Sequence, residues 1–307
     1  MAGIGEDAIA YQMKDQIMIQ SVDVITPVVD DPYQFGAIAT ANSLSDIYAK
    51  GGVPLFALNL IGFPTNSLPL SYLEEIIRGC VDKANEAGIS IVGGHTMDDL
   101  SPKCGLSVTG HIPQGSSFIS KSGATVGDVV LLTKPLGIGI YTTAIDKNML
   151  TGQQIDEVVE WMMKLNKVAS EVMRQVTVHA STDVTGFGLI GHLIEIAGQS
   201  DVSIEVYSNR VPFLKDALDL ARQGAISQGT QNNLFSYKNR VQYDKEISKE
   251  LEYVFYDPQT SGGLLLIVPP SQVEDVKKEF EKRNEYVTPI GIIKEKYEFS
   301  IHIKEAK

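Results

Sequence analysis

Cysteine is nearly absent: Cys80 and Cys104 are the only two in 307 residues, which excludes a disulfide-stapled secreted scaffold. Cys80 falls on an apolar stripe with Leu73, Ile76, Ile77 and Ala84 at helical spacing and reads as an inert core thiol. Cys104, beside Lys103 ahead of a strand, admits two readings, a reactive thiol and the simpler one of an ordinary loop position. Long apolar runs are missing too, and no signal peptide precedes the first charged residues, so the expectation is a cytoplasmic protein with no membrane partner. Positive charge is scarce, with 26 Lys and Arg against 38 Asp and Glu and a net charge of -12. That argues against nucleic acid as a main partner, and any phosphate ligand needs metal ions or local N–H groups to offset repulsion. His111, His179, His192 and His302 show no metal-ligand spacing, so zinc is not expected. No P-loop lysine, kinase motif set or serine-nucleophile elbow is found.

What is present is an ordinary globular composition, 43% hydrophobic and 21% charged, long enough for two cores. Residues 8–12 and 17–26 alternate apolar and polar and predict a hairpin. Pro32 opens a helix with Asp31 as its cap, and Gly51-Gly52 stops it. A strand over 54–62, a helix over 71–87, a short strand over 89–92 ending at Gly93, and a strand over 104–112 follow. A Gly-, Ser- and Pro-rich break at 113–127 predicts two domains, 1–115 and 116–307. The second starts with a strand over 128–133 and continues with helices over 138–147, 153–165 and 167–176. A strand at 202–206, a helix at 212–223 and a loop-rich polar stretch over 224–243 come next, then a strand at 264–268, a helix at 271–283 and two terminal strands. The fold class is α+β, with helices and strands alternating into sandwiches.

The run Ser181-Thr-Asp-Val-Thr-Gly-Phe-Gly-Leu-Ile-Gly191 places Asp183 before a glycine turn that opens a helix over 189–197. Such a turn suits anions, and a carboxylate beside an anion makes sense when a cation such as magnesium sits between them. A strand end with Asp183 capping the helix is an equal reading of that segment alone. Asp7 ahead of a strand, Asp23 inside an apolar strand and Asp46 on a helix face with Asn42, Ser45 and Ala49 are further candidates. Taken singly, each reads as a turn cap or a solvent-facing residue; together with Asp183 they read as magnesium–triphosphate ligands. Gly93-Gly94-His95 permits close backbone approach to a ligand, or is a plain turn. Asp257-Pro-Gln-Thr-Ser-Gly-Gly263, another glycine turn, is a third candidate contact, or a tight connection where Gly262 and Gly263 allow dihedrals closed to other residues.

These segments resemble a known family. Ser21-Val-Asp-Val-Ile-Thr-Pro-Val-Val-Asp30, Ala41-Asn-Ser-Leu-Ser-Asp-Ile-Tyr-Ala49, Val92-Gly-Gly-His95, Thr133-Lys-Pro-Leu-Gly-Ile-Gly139, Thr182-Asp-Val-Thr-Gly-Phe-Gly188 and Asp257-Pro-Gln-Thr-Ser-Gly-Gly263 occur in this order in the selenophosphate synthetases. These selenide, water dikinases are part of the aminoimidazole ribonucleotide synthetase-like superfamily. The resemblance covers the chain from Gly5 on. It implies a homodimer whose N-terminal domains pair into a β-barrel core, a C-terminal α/β sandwich, and ATP in a cleft between domains. By position, Asp7, Asp46 and Asp183 match the family's Mg2+ ligands, and Asp23 a residue at the nucleotide phosphates. Asp46 is counted with the nucleotide contacts as well, and Gly93, Gly94 and His95 match a segment contributed across the dimer. The implied reaction takes ATP, selenide and water to selenophosphate, phosphate and AMP.

One departure stands beside the matches. The family carries a glycine-rich arm with Cys or selenocysteine and a lysine ahead of the position of Gly5, whereas only Met1-Ala-Gly-Ile precedes it here. Cys80 and Cys104 do not occupy the missing position. The expectation is a polypeptide that binds nucleotide while making little product. The rival readings are another ATP-using enzyme of the superfamily, or a silent nucleotide-binding scaffold.

Overall fold

The computed structural model describes residues 5–306, and the sequence expectations that fall on Met1–Ile4 lie outside them. The chain divides into two compact units: residues up to Phe118 together with Val159–Ser170, and Ile119–Val158 together with the residues from Glu171 on.

The first unit runs β1 (Ile9–Met13), β2 (Gln16–Ile25), α1 (Pro32–Ala49), β3 (Val53–Phe63), α2 (Leu70–Ala87), β4 (Ser90–Asp98) and β5 (Lys103–Ile112). Its sheet has the order β1-β2-β5-β3-β4, antiparallel except for the β3–β4 pair. A parallel pair needs a crossover, and α2 supplies it. Asp31 caps α1 by accepting from Gln34 N at 2.8 Å, with Pro32 in the first turn as its sequence predicts. α1 is buried on all sides from Phe35 to Ala49, which explains why its apolar residues show little periodicity. Its Leu44 and Ile47 meet Ile19, Ala57, Leu106 and Val108 of the sheet in one core.

Helices α1 and α2 touch backbone to backbone. A Cβ on Gly79 would lie 2.0 Å from Tyr33 O, and one on Gly36 would lie 2.0 Å from Ile76 O. Neither neighbour is a flexible side-chain end, so a methyl group forces the helices apart. Gly79→Ala is expected to cost about 3 kcal/mol, read as a lower midpoint in denaturant. An unchanged midpoint would show that the helices accommodate the methyl.

β4 differs from its sequence expectation. It does not stop at Val92 but continues through Gly93, Gly94 and His95 to Asp98, because β3 offers it a parallel ladder. Tertiary pairing overrides the weak strand preference of glycine. Gly94 is required there, since a Cβ would sit 2.2 Å from Asn59 O.

The second unit holds β6 (Val129–Leu132), α3 (Ile138–Asp146), most of α4 (Gly152–Met163), the end of α5 (Lys167–Met173), β7 (Ala180–Asp183), α6 (Gly188–Ser200) and β8 (Ser203–Tyr207). It continues with α7 (Ala217–Arg222), α8 (Gln228–Tyr237), β9 (Val241–Tyr243), α9 (Lys249–Tyr256), β10 (Leu264–Val268), α10 (Val273–Lys282), β11 (Thr288–Lys294) and β12 (Ile301–Lys304). The seven-stranded sheet has the order β7-β10-β6-β11-β8-β12-β9. β10 is the continuous apolar run Leu-Leu-Leu-Ile-Val, buried at every position between two neighbours, as a strand covered on both faces requires. α6 lies against β7, β8 and β12, while α9 touches α6, α7 and α8.

Two expectations are corrected in this unit. The stretch 224–243 is not loop-rich: Ser227 accepts from Thr230 N at 3.0 Å and starts α8. Its Asn233 donates to the carbonyls of Gly186 and Tyr256, both at 2.9 Å, so a polar sequence folds here to serve neighbouring backbone rather than a core. The helix expected over 212–223 starts only at Ala217, because Pro212 O is engaged by Leu136 N instead.

Candidate functional site

In the first unit, Glu6 and Asp7 precede β1 and share the ammonium of Lys50, the residue that caps the C-terminus of α1. Lys50 Nζ lies 2.6 Å from Glu6 Oε2 and 2.9 Å from Asp7 Oδ2, with side-chain exposures of 0% for Lys50, 6% for Glu6 and 5% for Asp7. Ion pairs this buried hold their geometry strongly, since removing one partner strands a charge.

The polar stripe on α1 has definite neighbours. Asn42 Nδ2 donates to Asp23 Oδ2 on β2 at 3.0 Å. Ser43 Oγ donates to Asp23 O at 3.2 Å and accepts from Leu106 N at 3.1 Å, tying α1 to β2 and β5. Ser45 Oγ accepts from Asn166 Nδ2 at 2.9 Å. Asp46, one turn beyond Asn42, is buried, while Asp23 is half-buried. Gly93, Gly94 and His95 are exposed on the edge strand β4.

In the second unit, Asp183 is the last residue of β7 and is 2% exposed. The glycine turn after it is anchored on both sides: Val184 N donates to Gly263 O at 2.8 Å, and Gln259 N donates to Thr185 O at 3.0 Å. Thr185 N donates to His192 Nε2 at 3.0 Å, so the His192 proton resides on Nδ1, which faces Glu195 Oε2 at 3.2 Å. Glu195 also takes Lys121 Nζ at 2.9 Å. Burial raises the Glu195 carboxyl, but His192 and Lys121 outweigh it and hold the group below its ordinary value. Phe187 is the N-cap residue of α6 and makes no side-chain cap bond, and Asp183 lies four residues before it.

The Asp257–Gly263 segment is more than a tight connection. Asp257 is fully buried, and its Oδ2 accepts from Ile140 N at 3.1 Å and from Gln259 Nε2 at 3.0 Å. Thr230 Oγ1 donates to its Oδ1 at 3.1 Å. Gln259 Oε1 accepts from Gly137 N and Ile138 N, both at 3.1 Å, and Lys134 Nζ donates to Ser261 O at 2.7 Å. Two sequence motifs, Thr133–Gly139 and Asp257–Gly263, are therefore one brace that satisfies the N-terminus of α3. Burial pushes the Asp257 carboxyl up to about 7 despite these donors. His192, Glu195, Lys121 and Lys50 were not among the candidates from sequence, whereas Gln259 lay inside one of the candidate motifs. The His192–Glu195 spacing of three was the one visible signal.

Asp7 and Asp46 in the first unit and Asp183 in the second are carboxylates with side chains more than nine-tenths buried, and carboxylate oxygens are ligands of hard cations such as magnesium.

The chain matches two family models, the N-terminal domain of AIR synthase related proteins over residues 5–112 and the C-terminal domain over residues 125–304. It is 45% identical over 300 residues to a selenide, water dikinase of Clostridium botulinum, covering 97% of this chain and 86% of the relative. It is equally 45% identical over 301 residues to one of Caldanaerobacter subterraneus subsp. tengcongensis, with the same shares covered. Among solved structures, thiamine monophosphate kinase from Aquifex aeolicus superposes with a TM-score of 0.71 at 19% identity, over 98% of this chain and 92% of that one. Escherichia coli HypE, a hydrogenase maturation protein, gives 0.70 at 16% identity, over 92% and 81%. The structures share the fold alone at such identities, whereas the sequence relatives are close enough to decide membership: the chain belongs to the AIR synthase related proteins and, within them, to the selenide, water dikinases.

Proposed function

We propose that this protein catalyses the ATP-dependent synthesis of selenophosphate, taking ATP, selenide and water to selenophosphate, phosphate and AMP, rather than binding nucleotide with little product as its sequence led us to expect. The observation that carries it is identity of 45% over 97% of the chain to selenide, water dikinases. Asp7, Asp46 and Asp183 are the proposed Mg2+ ligands, with Asp23 at the phosphates and Gly93, Gly94 and His95 contributing to the nucleotide site. Bound magnesium would neutralise triphosphate charge and orient the γ-phosphoryl group. The chain's own part is to hold these carboxylates still. Lys50 fixes Asp7, Asn42 fixes Asp23, and His192 fixes the turn after Asp183. Positioning and charge stabilisation make up most of the catalysis in phosphoryl transfer.

The nucleotide product separates this reading from other ATP users of the fold. Chromatography of a reaction by the protein as encoded should show AMP and phosphate appearing only with selenide. Selenide-independent ADP would move the chain to a simple kinase reaction.

The proposed assembly is a homodimer through the first sheet. Its outer face carries Ile9, Tyr11, Val22, Val24, Leu58 and Met97, all exposed, with Val22 at 59% and Ile9 at 65%. An apolar patch of that kind marks an interface. A mass near twice 33.5 kDa in solution is expected; a monomer at micromolar concentration would contradict the pairing. The cytoplasm is the proposed location, since two free thiols in contact fit a reducing compartment. Among the described residues no helix is long and apolar enough to cross a membrane.

A further inference from the structure

Cys104 is not a loop residue. It lies in β5, between Ile25 of β2 and Ile61 of β3, with its side chain in the interior. Cys80 comes from α2, and the two Sγ atoms stand 3.4 Å apart, both residues 0% exposed. Bonding requires the sulfurs to close to about 2.05 Å, a movement of the size that side-chain torsions supply. The thiol of Cys80 also reaches Gly36 O at 3.4 Å. These are the chain's only cysteines, so the partner of each is fixed by the fold.

We propose that Cys80 and Cys104 form a redox-active dithiol which a small peroxide closes into a disulfide joining α2 to β5. Either sulfur can open the reaction, since the hydrogen bond between them can run in either direction. As a thiolate it displaces hydroxide from hydrogen peroxide and becomes a sulfenic acid. The other sulfur, 3.4 Å away, then attacks it, the S–S bond forms, and the sulfenic oxygen leaves as water. In balance, two thiols and one peroxide give one disulfide and two waters; the sulfurs are oxidised and the peroxide is reduced. Burial selects the oxidant, because a neutral molecule little larger than water enters through local opening while a protein disulfide does not. The neighbouring thiol traps the sulfenic acid before it oxidises further. The bond encloses a loop that contains all of β4.

The test treats the folded wild-type protein with hydrogen peroxide, removes the excess enzymatically, unfolds the chain in an alkylating agent and maps its peptides. The expected result is one cross-linked peptide pair containing Cys80 and Cys104, no alkylation at either, and recovery of both alkylatable thiols after dithiothreitol. Cys80→Ser and Cys104→Ser should each abolish the cross-link. Full alkylation of both cysteines after peroxide, or sulfinic and sulfonic products without the cross-linked pair, would overturn the proposal. The wild-type measurement decides the matter even where a variant fails to fold.

Discussion

Asp183→Asn is expected to weaken magnesium-dependent ATP binding by about ten- to a hundredfold, the usual range when a metal site loses part of its support. The substitution keeps the shape of a residue that ends β7 and is 2% exposed, so the fold should survive. What is removed is one negative charge from the proposed ligand set. The turn that follows stays anchored by Gly263 and His192 through backbone atoms that Asn does not touch. Calorimetric titration of ATP, with and without magnesium, separates the two contributions. The variant should lose the magnesium-dependent part and keep whatever affinity the nucleotide has without metal. Equal affinity for wild type and variant would remove Asp183 from the site.

The second large effect concerns stability. Asp257 goes from an ordinary value of 3.8 to about 7 through burial. Below about pH 4 both folded and unfolded chains hold this proton. Between there and about pH 7 the unfolded chain releases it while the folded chain keeps it, so stability falls as pH rises through that window. Above it both states are ionised and the contribution is level. The displacement is worth roughly 4 kcal/mol. The geometry accommodates both forms: Thr230 Oγ1 can accept from a protonated Oδ1, whereas the ionised group draws on Ile140 N, Gln259 Nε2 and the Thr230 hydroxyl. Asp257→Asn removes the titration, so the difference in unfolding free energy between wild type and variant should change with pH across this window and be flat above it. Denaturant unfolding at a series of pH values measures it. A difference independent of pH would mean that the hydrogen bonds fully offset the burial of the charge.

Much of the scaffold was legible because local signals agree with the fold. The Asp31 cap with Pro32 behind it, and Gly51-Gly52 beyond the last turn, gave the ends of α1 within a residue or so of those observed. β10 could be read from its uninterrupted apolar run. Illegible elements were those made by distant partners. β4 continues through two glycines because β3 lies beside it. α8 exists because its Asn233 is needed at two carbonyls far away in sequence. The same divide runs through the candidate site. Asp7, Asp23, Asp46 and Asp183 stood out as carboxylates in settings that solvent exposure does not explain. The residues that hold them, Lys50 and His192, looked like an ordinary helix end and an unpatterned histidine. Their roles depend on contacts 43 residues back in sequence for Lys50 and seven for His192. Cys104 shows the divide most plainly: the sequence puts it at the start of a strand, and only its register on β5 puts it against Cys80.

The measurement that bears most directly on the central claim is phosphorus NMR of the protein as encoded, incubated with magnesium, ATP and selenide. The account predicts selenophosphate, phosphate and AMP growing in equal amounts, with none of them formed when selenide is left out. ATP consumed to ADP, or AMP released without a selenium-bound phosphorus signal, would contradict it.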